Sequence, residues 1–265
     1  MGALNLKTAI RRRVSPGASP IPWSPDEGGP TGGIHAPAAE SHTPVLPTPA
    51  PKGAKIGPNS LIQTFAAIAE FEGEEMAGGL RALLQPPAEL DDMIDEVHFI
   101  RLVKGLRRIL PPASVDRILE RAGERTADYV LRNRIPAPAR FILPRLPRAV
   151  ALPLVLAAFR RNAWTFAGSG RYSADAGGLG GDEPHIELDG CITCVGSRRG
   201  RAGGAFYRGA FQGLLSALVA PGTRVTEDEC VATGGRTCRY TIHLPGRPHR
   251  EVSVHIATPE VEPCA

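Results

Sequence analysis

The sharpest chemical signal in the chain is a glutamate followed by two cysteines, Glu227-x2-Cys230-x7-Cys238. Thiolates and a carboxylate are competent zinc ligands, and a structural zinc site asks for four of them. The β-branched, partly alternating run Thr223 to Val231, the turn Thr233-Gly-Gly-Arg236 and the run Cys238 to Leu244 predict a hairpin. On that hairpin Cys230 and Cys238 flank the turn, and Glu227 reaches the same point if a bulge re-aims its strand. The fourth ligand would be Cys194 or Cys191, from Cys191-Ile-Thr-Cys194. A plainer reading stays open: two small buried thiols beside a surface glutamate. A redox role for the CxxC is disfavoured, because its context is strand and loop and not the start of a helix.

A second constellation is aromatic. Trp164-Thr-Phe-Ala-Gly-Ser-Gly170 joins two large rings to a glycine-rich turn. Rings can stack on a planar macrocycle, and glycines allow close approach. The alternative is a helix end that packs its aromatics into the core. His98, His185 and His243 are candidates for an axial metal ligand or for ordinary core and surface positions. Arg140, Arg145, Arg148, Arg160 and Arg161 border an apolar stretch, and could bind propionates or lie at a membrane surface. A dinucleotide site would need G-x-G-x-x-G between a strand and a helix. Gly178-Leu-Gly180 and Gly168-Ser-Gly170 both lack the third glycine and the βαβ frame.

The elements that must position these groups follow from punctuation and periodicity. Ten of the 26 prolines fall between Pro16 and Pro51, so residues 1–54 read as a disordered tail. Helices are expected over four segments: from Asn59-Ser60 through Ala69, from Glu74 to Leu84, from Asp91 or Asp92 to a stop before Pro111-Pro112, and from Ser114 through Val130. Short broken helix follows, then a helix over Leu154–Phe166. Ala174–Gly181 reads as loop, His185–Leu188 as a strand that Cys191–Val195 extends or pairs with, Phe206–Val219 as a helix, and Glu251–Ile256 as a last strand. Helices first and an antiparallel sheet with a packed helix second make an α+β plan: residues 55–170 helical, 171–258 α+β with the cysteine hairpin.

The totals narrow the function classes. A net charge of +4 without a dense basic block or a recognisable module argues against a nucleic-acid partner. No run of about 18 apolar residues exists, so no transmembrane helix is expected. No apolar stretch follows Arg11, Arg12 and Arg13, and five clustered cysteines suit a reducing cytoplasm.

Several separated motifs together resemble the bacteriochlorophyll 4-vinyl reductase (J protein) family and its 4-vinyl reductase domain. They are Ala54-Lys-Ile-Gly-Pro-Asn-Ser60, Arg125-Thr-Ala-Asp-Tyr-Val-Leu131 with Arg134-Ile-Pro136, Ala163-Trp-Thr-Phe-Ala-Gly-Ser-Gly170, Thr226-Glu-Asp-Glu-Cys230-Val-Ala-Thr-Gly-Gly235 and Cys238-Arg-Tyr240. The resemblance spans about residues 54–244. It implies an α+β domain acting at the 8-vinyl (4-vinyl) reduction of a divinyl tetrapyrrole, protochlorophyllide or chlorophyllide. It implies a Mg-tetrapyrrole partner and contact with other bacteriochlorophyll-synthesis enzymes; the cysteine usage makes the expected location cytoplasmic, and the arginine cluster keeps a peripheral place at the photosynthetic membrane open. The expected role is to bind and present the pigment. A reductase with an external donor, NADPH included, and a small-molecule-sensing module remain the alternatives. The expected ligand pocket is Trp164, Phe166, Tyr172, Phe206 and Phe211. The expected structural zinc is held by Glu227, Cys230, Cys238 and Cys194. In sensor members of the family the last ligand is a cysteine that would fall near Gly204. A histidine expected ahead of Ala163-Trp164 is Asn162 here.

Overall fold

Proline and glycine punctuation divides the first half of the chain into helices. They are α1 (Asn59–Glu72), α2 (Glu74–Leu84), α3 (Glu96–Ile109), α4 (Pro112–Asn133), α5 (Ala137–Ile142) and α6 (Arg148–Asn162). The computed structural model describes residues 53–87, 90, 92–178, 183–194 and 200–246. The expected tail through residue 52 and the strand over Glu251–Ile256 lie outside the described residues.

Three helix starts differ from the sequence reading. α1 begins directly behind Pro58, so Asn59 and Ser60 lie inside its first turn, and Ser60 Oγ donates to Gly57 O at 2.9 Å. α3 is capped by Asp95, whose Oδ1 accepts from Val97 N at 2.8 Å. Ile94–Asp95 ahead of it is a short strand, β2, paired antiparallel with β1 (Lys55–Ile56). α4 starts at Pro112, where a missing N–H costs nothing, and leaves Ser114 in its first turn. Local capping rules could not see a strand partner about forty residues away in the chain. The helix expected over Leu154–Phe166 instead runs from Arg148 to Asn162 and then tightens into a 3-10 turn, Ala163–Thr165. It tolerates Pro153 because Ala149, whose carbonyl loses its donor, is exposed and can be served by water.

The second half supplies β3 (Arg171–Asp175), β4 (His185–Asp189), α7 (Ala205–Leu218), β5 (Arg224–Glu229) and β6 (Cys238–His243). The four strands form one antiparallel sheet in the order β3-β4-β6-β5. Ala174 and Asp175, expected in loop, end strand β3. Cys191–Cys194 is not a strand: Gly190 turns at φ 74°, and Cys194 N donates to Cys191 O at 2.9 Å. The fold is α+β, helices followed by an antiparallel sheet with one packed helix.

α7 sits in the middle, which explains its composition. Ala205, Phe206, Tyr207, Phe211, Leu214, Leu215 and Leu218 are all buried, the pattern of a helix with neighbours on both sides. On one side lies the inner face of the sheet, with Ile186, Leu188, Val225, Cys238, Tyr240 and Ile242. On the other lies α4. There the two helices touch through backbone: a Cβ on Gly123 would stand 2.0 Å from Phe206 O, and one on Gly209 would stand 2.2 Å from Glu120 O. Only glycine permits that approach. One apolar core runs through both halves of the chain.

Candidate functional site

The hairpin brings the sulfur ligands together through one irregularity. Residues of a strand alternate faces, so Glu227 and Cys230, three apart, should point opposite ways. The β5–β6 register shifts between Glu227, opposite Tyr240, and Glu229, opposite Arg239. This inserts one extra residue and turns Cys230 back to the face that carries Glu227. Cys194 arrives from the turn after β4. Ligand atoms of Cys194, Glu227, Cys230 and Cys238 all lie within 4.8 Å of one another.

Distances inside the cluster suit a shared cation. Cys194 Sγ stands 3.5 Å from Cys230 Sγ, and Cys238 Sγ stands 3.7 Å from it. Two metal–sulfur bonds of about 2.3 Å at the tetrahedral angle set sulfurs roughly 3.8 Å apart. Cys230 Sγ also accepts from Gly203 N at 3.3 Å and Ala232 N at 3.4 Å, donors that favour a thiolate. Glu227 accepts from Gly204 N with both oxygens, at 2.9 and 3.1 Å. Three thiols and a carboxylate in a buried corner therefore match the donor set of a tetrahedral site.

The protonation pattern describes the same crowding. Hydrogen bonds from the Cys194 and Cys238 thiols pull Cys230 down to about 2. Hydrogen bonding among the neighbouring sulfurs raises Cys194 and Cys238. Burial, with the Cys230 charge beside it, pushes Glu227 up to about 9. A divalent cation reverses the sign of these effects, because it rewards every deprotonated ligand at once.

Of the two CxxC sulfurs, Cys194 is in the quartet, while Cys191 lies beside it and meets Thr193 Oγ1 at 3.2 Å. A side chain at Gly204 has no room: a Cβ there would meet Tyr240 Oη at 1.9 Å and Glu227 Oε1 at 2.6 Å. Arg107 of α3 was missed by sequence reading. Its guanidinium donates to Thr193 O at 2.5 Å and to Gly203 O at 3.0 Å. It thereby ties the Cys194 turn to the loop whose N–H groups serve Cys230 and Glu227. No spacing rule reaches an arginine 86 residues from its acceptor.

The glycine-rich turn at 167–170 serves the chain's own carboxylate. Buried Glu96 accepts from Ser169 N and from Ser169 Oγ, both at 2.7 Å. Gly168, at φ 59°, leaves the space: a Cβ there would stand 2.0 Å from Glu96 Oε2. The glycines that looked able to admit a flat ligand here admit α3.

The five rings expected to form a pocket divide into groups. Phe166 meets Tyr172 at 5.8 Å and Phe211 at 6.0 Å between ring centroids. Phe211 also contacts Phe159, Tyr207 and Tyr240. Phe206 is buried one ring further in, edge-on to Phe99 at 5.0 Å and against Tyr207. Trp164 stands apart on the surface. Phe166 and Tyr172 are half-buried, so a ligand can reach them from outside, with Phe211 as the wall behind. Entry between Phe166 and Phe211 would require the rings to part. Tyr172 Oη donates to Leu156 O at 3.3 Å, and burial raises its pKa. On the outer face of the sheet lies a cleft of about 850 Å³, lined by Arg171, Tyr172, Glu187, Glu229, Arg236 and Arg239 among others. Its walls carry charges of both signs and suit water more than an apolar ring. Among the histidines, His243 Nε2 meets Thr226 Oγ1 at 2.8 Å, and His185 Nδ1 meets Arg239. Both are occupied on that outer face.

Comparison with known proteins places the chain among relatives. The bacteriochlorophyll synthase 23 kDa chain of Cereibacter sphaeroides is 30% identical over 195 residues, covering 73% of this chain and 92% of that protein. The protein of the same name from Rhodobacter capsulatus is 28% identical over 206 residues, covering 76% of this chain and 92% of its own. No family model matches. Among solved structures, an H-NOX protein from S. oneidensis in its Fe(II)NO state superposes with TM-score 0.47 at 10% identity, over 71% of this chain and 99% of that one. Another structure from the H-NOX family gives 0.48 at 12% identity, over 73% and 97%. Scores this low carry no argument about chemistry. No helix of the described residues is long and apolar enough to cross a membrane.

Proposed function

Because the chain belongs to the bacteriochlorophyll 4-vinyl reductase (J protein) family, that of the 23 kDa chains of bacteriochlorophyll synthase, we propose that it works in bacteriochlorophyll biosynthesis by binding a divinyl Mg-tetrapyrrole and presenting it for reduction of the 8-vinyl group. The observation that carries this reading is the ring cluster. Phe166 and Tyr172 are reachable from solvent, and Phe211 backs them. A large flat apolar ligand needs such a wall and few polar anchors. Phe206, one ring deeper, supports the wall without touching the ligand. Hydride delivery would need a nucleotide cradle, and one of the two glycine pairs that resembled one, Gly168-Ser-Gly170, is the seat of Glu96.

Zinc is the cation that best suits three thiolates and a carboxylate at tetrahedral spacing. In this reading Cys194, Glu227, Cys230 and Cys238 hold it, and its role is to fasten the β5–β6 hairpin to the turn after β4. Stripping and reloading the purified protein tests this: one zinc per chain is expected by elemental analysis, and a chain that binds none rejects the site.

The pigment test is optical. Purified protein mixed with divinyl protochlorophyllide should shift the Soret band, with no ethyl product when NADPH is added. Phe166→Ala should weaken the shift. An ethyl product would instead identify a reductase, and an unmoved Soret band would reject pigment binding altogether.

A further inference from the structure

The outer surface of α5 and α6 is apolar where a water-facing surface should be polar. α6 buries Ala151, Leu152, Val155, Leu156 and Phe159 on one side. On its opposite side Val150 (47% exposed), Leu154 (50%), Ala157, Arg161 and then Trp164 (63%) follow at steps of three or four residues, one stripe of a helix continued into its last turn. α5 adds Phe141 (61%) and Ile142 (51%). Five of the seven exposed large apolar side chains of the described residues thus fall between residues 141 and 164. A helix with apolar residues on both sides has a partner on both sides.

Charge says which partner. From Tyr129 to Ala174 the chain contains eight arginines, at 132, 134, 140, 145, 148, 160, 161 and 171, and no aspartate, glutamate or lysine. Arg132 pairs with Asp128 and Arg171 with Asp189. Among the described residues Arg140, Arg145 and Arg161 meet no carboxylate, and Arg145 lies over the Phe141 ring, 3.5 Å from its centroid. Exposed aliphatic and aromatic side chains interleaved with unpaired arginines are the composition that enters the boundary between headgroups and acyl chains. Arginine forks bind lipid phosphates, and an indole sits at that depth. A second copy of this chain fits poorly, since a two-fold contact would press arginine against arginine with no acid to answer. Nucleic acid would leave Leu154, Val150 and Ile142 without a role.

We propose that the outer face of α5 and α6, from Arg140 to Trp164, docks on the surface of an anionic lipid bilayer. The face lies in the bilayer plane, its apolar stripe in the acyl boundary and its arginines at the phosphates. The ring cluster is adjacent through Trp164 and Phe166. The docking does not depend on pigment binding, and pigment-free vesicles separate the two.

The 265-residue chain with Trp23→Phe keeps Trp164 as its one indole. Vesicles of phosphatidylglycerol and phosphatidylcholine should blue-shift its emission and carry the protein upward in a flotation gradient. Pure phosphatidylcholine should do so weakly, and high salt should release it. Val150→Ser with Leu154→Ser, and separately Arg140→Gln with Arg161→Gln, should each lower partitioning about tenfold or more while leaving the melting temperature unchanged. The proposal is overturned if the protein stays at the bottom of the gradient with anionic vesicles, if both paired variants float as well as the parent, or if the face proves to be a dimer contact broken by the same substitutions without vesicle binding.

Discussion

The sulfur corner and the ring cluster both lean on α7, and they are held in different ways. At the first residues of the helix, directional bonds converge on the corner: N–H groups of Gly203 and Ala232 on Cys230, the Gly204 N–H on Glu227, and Arg107 across two loops. Further along, Phe211 contributes area and edge-to-face contacts with Phe166 and Tyr240, and Tyr207 adds an edge contact with Tyr240 and a single hydrogen bond, from its Oη to Phe166 O at 2.8 Å. Ligand geometry tolerates few residue types, and apolar contact tolerates many. The corner should therefore fail abruptly under substitution and the cluster gradually.

The largest test of that contrast is Cys194→Ser. Losing one ligand of a buried quartet should cost about 4 kcal/mol, or roughly 8–16 °C in melting temperature for a domain this size. Calorimetry on metal-loaded protein reads it, and a change below 2 °C would place the cysteines among ordinary buried residues. Next comes Gly209→Ala, which drives a methyl group into Glu120 O and should cost about 2–3 kcal/mol. Since α7 supports both regions, zinc content and Soret shift should fall together; a loss of one alone would show that the regions are independent of the helix contact. Phe211→Leu is milder, about 1–2 kcal/mol. It should weaken pigment affinity and leave zinc stoichiometry at one, and the reverse pattern would break the division of labour.

The finest test uses protons. In metal-free protein Glu227 holds its proton up to about 9, and ligation must expel it. Zinc affinity should therefore rise as pH climbs from 6 toward 9 and fall as pH drops, by about tenfold per pH unit for each proton released. Chelator competition across that range should lose one proton's worth of slope in Glu227→Gln. An identical slope would mean Glu227 is not a ligand.

What could be read beforehand follows the same division. The convergence of Glu227, Cys230, Cys238 and Cys194 was legible because few residue types are metal-competent and because a hairpin's turn chemistry fixes its register. The bulge was legible as a need, since Glu227 and Cys230 cannot share a face without it. Three features were illegible: Arg107 on Thr193 and Gly203, Glu96 seated at Gly168, and β1 pairing β2. Each joins segments far apart in the chain, where no local period exists to be read. The rings of Trp164 and Phe166 were legible as aromatic and illegible in fate: one faces solvent and the other packs on Phe211, a choice made by the end of α6. Gly123 and Gly209 gave no local signal either, because a glycine inside a helix looks like a weakness until another backbone is seen against it.

The extra residue in β5 has an arithmetic consequence. Which way Cys230 points depends on how many residues separate it from Val225, and not on what those residues are. Pairing β5 with β6 in simple alternation at its present length would send that sulfur out toward water, although every ligand would still be present in the chain. A census of conserved side chains would miss such a lesion. In this hairpin the count of peptide units is itself part of the candidate site.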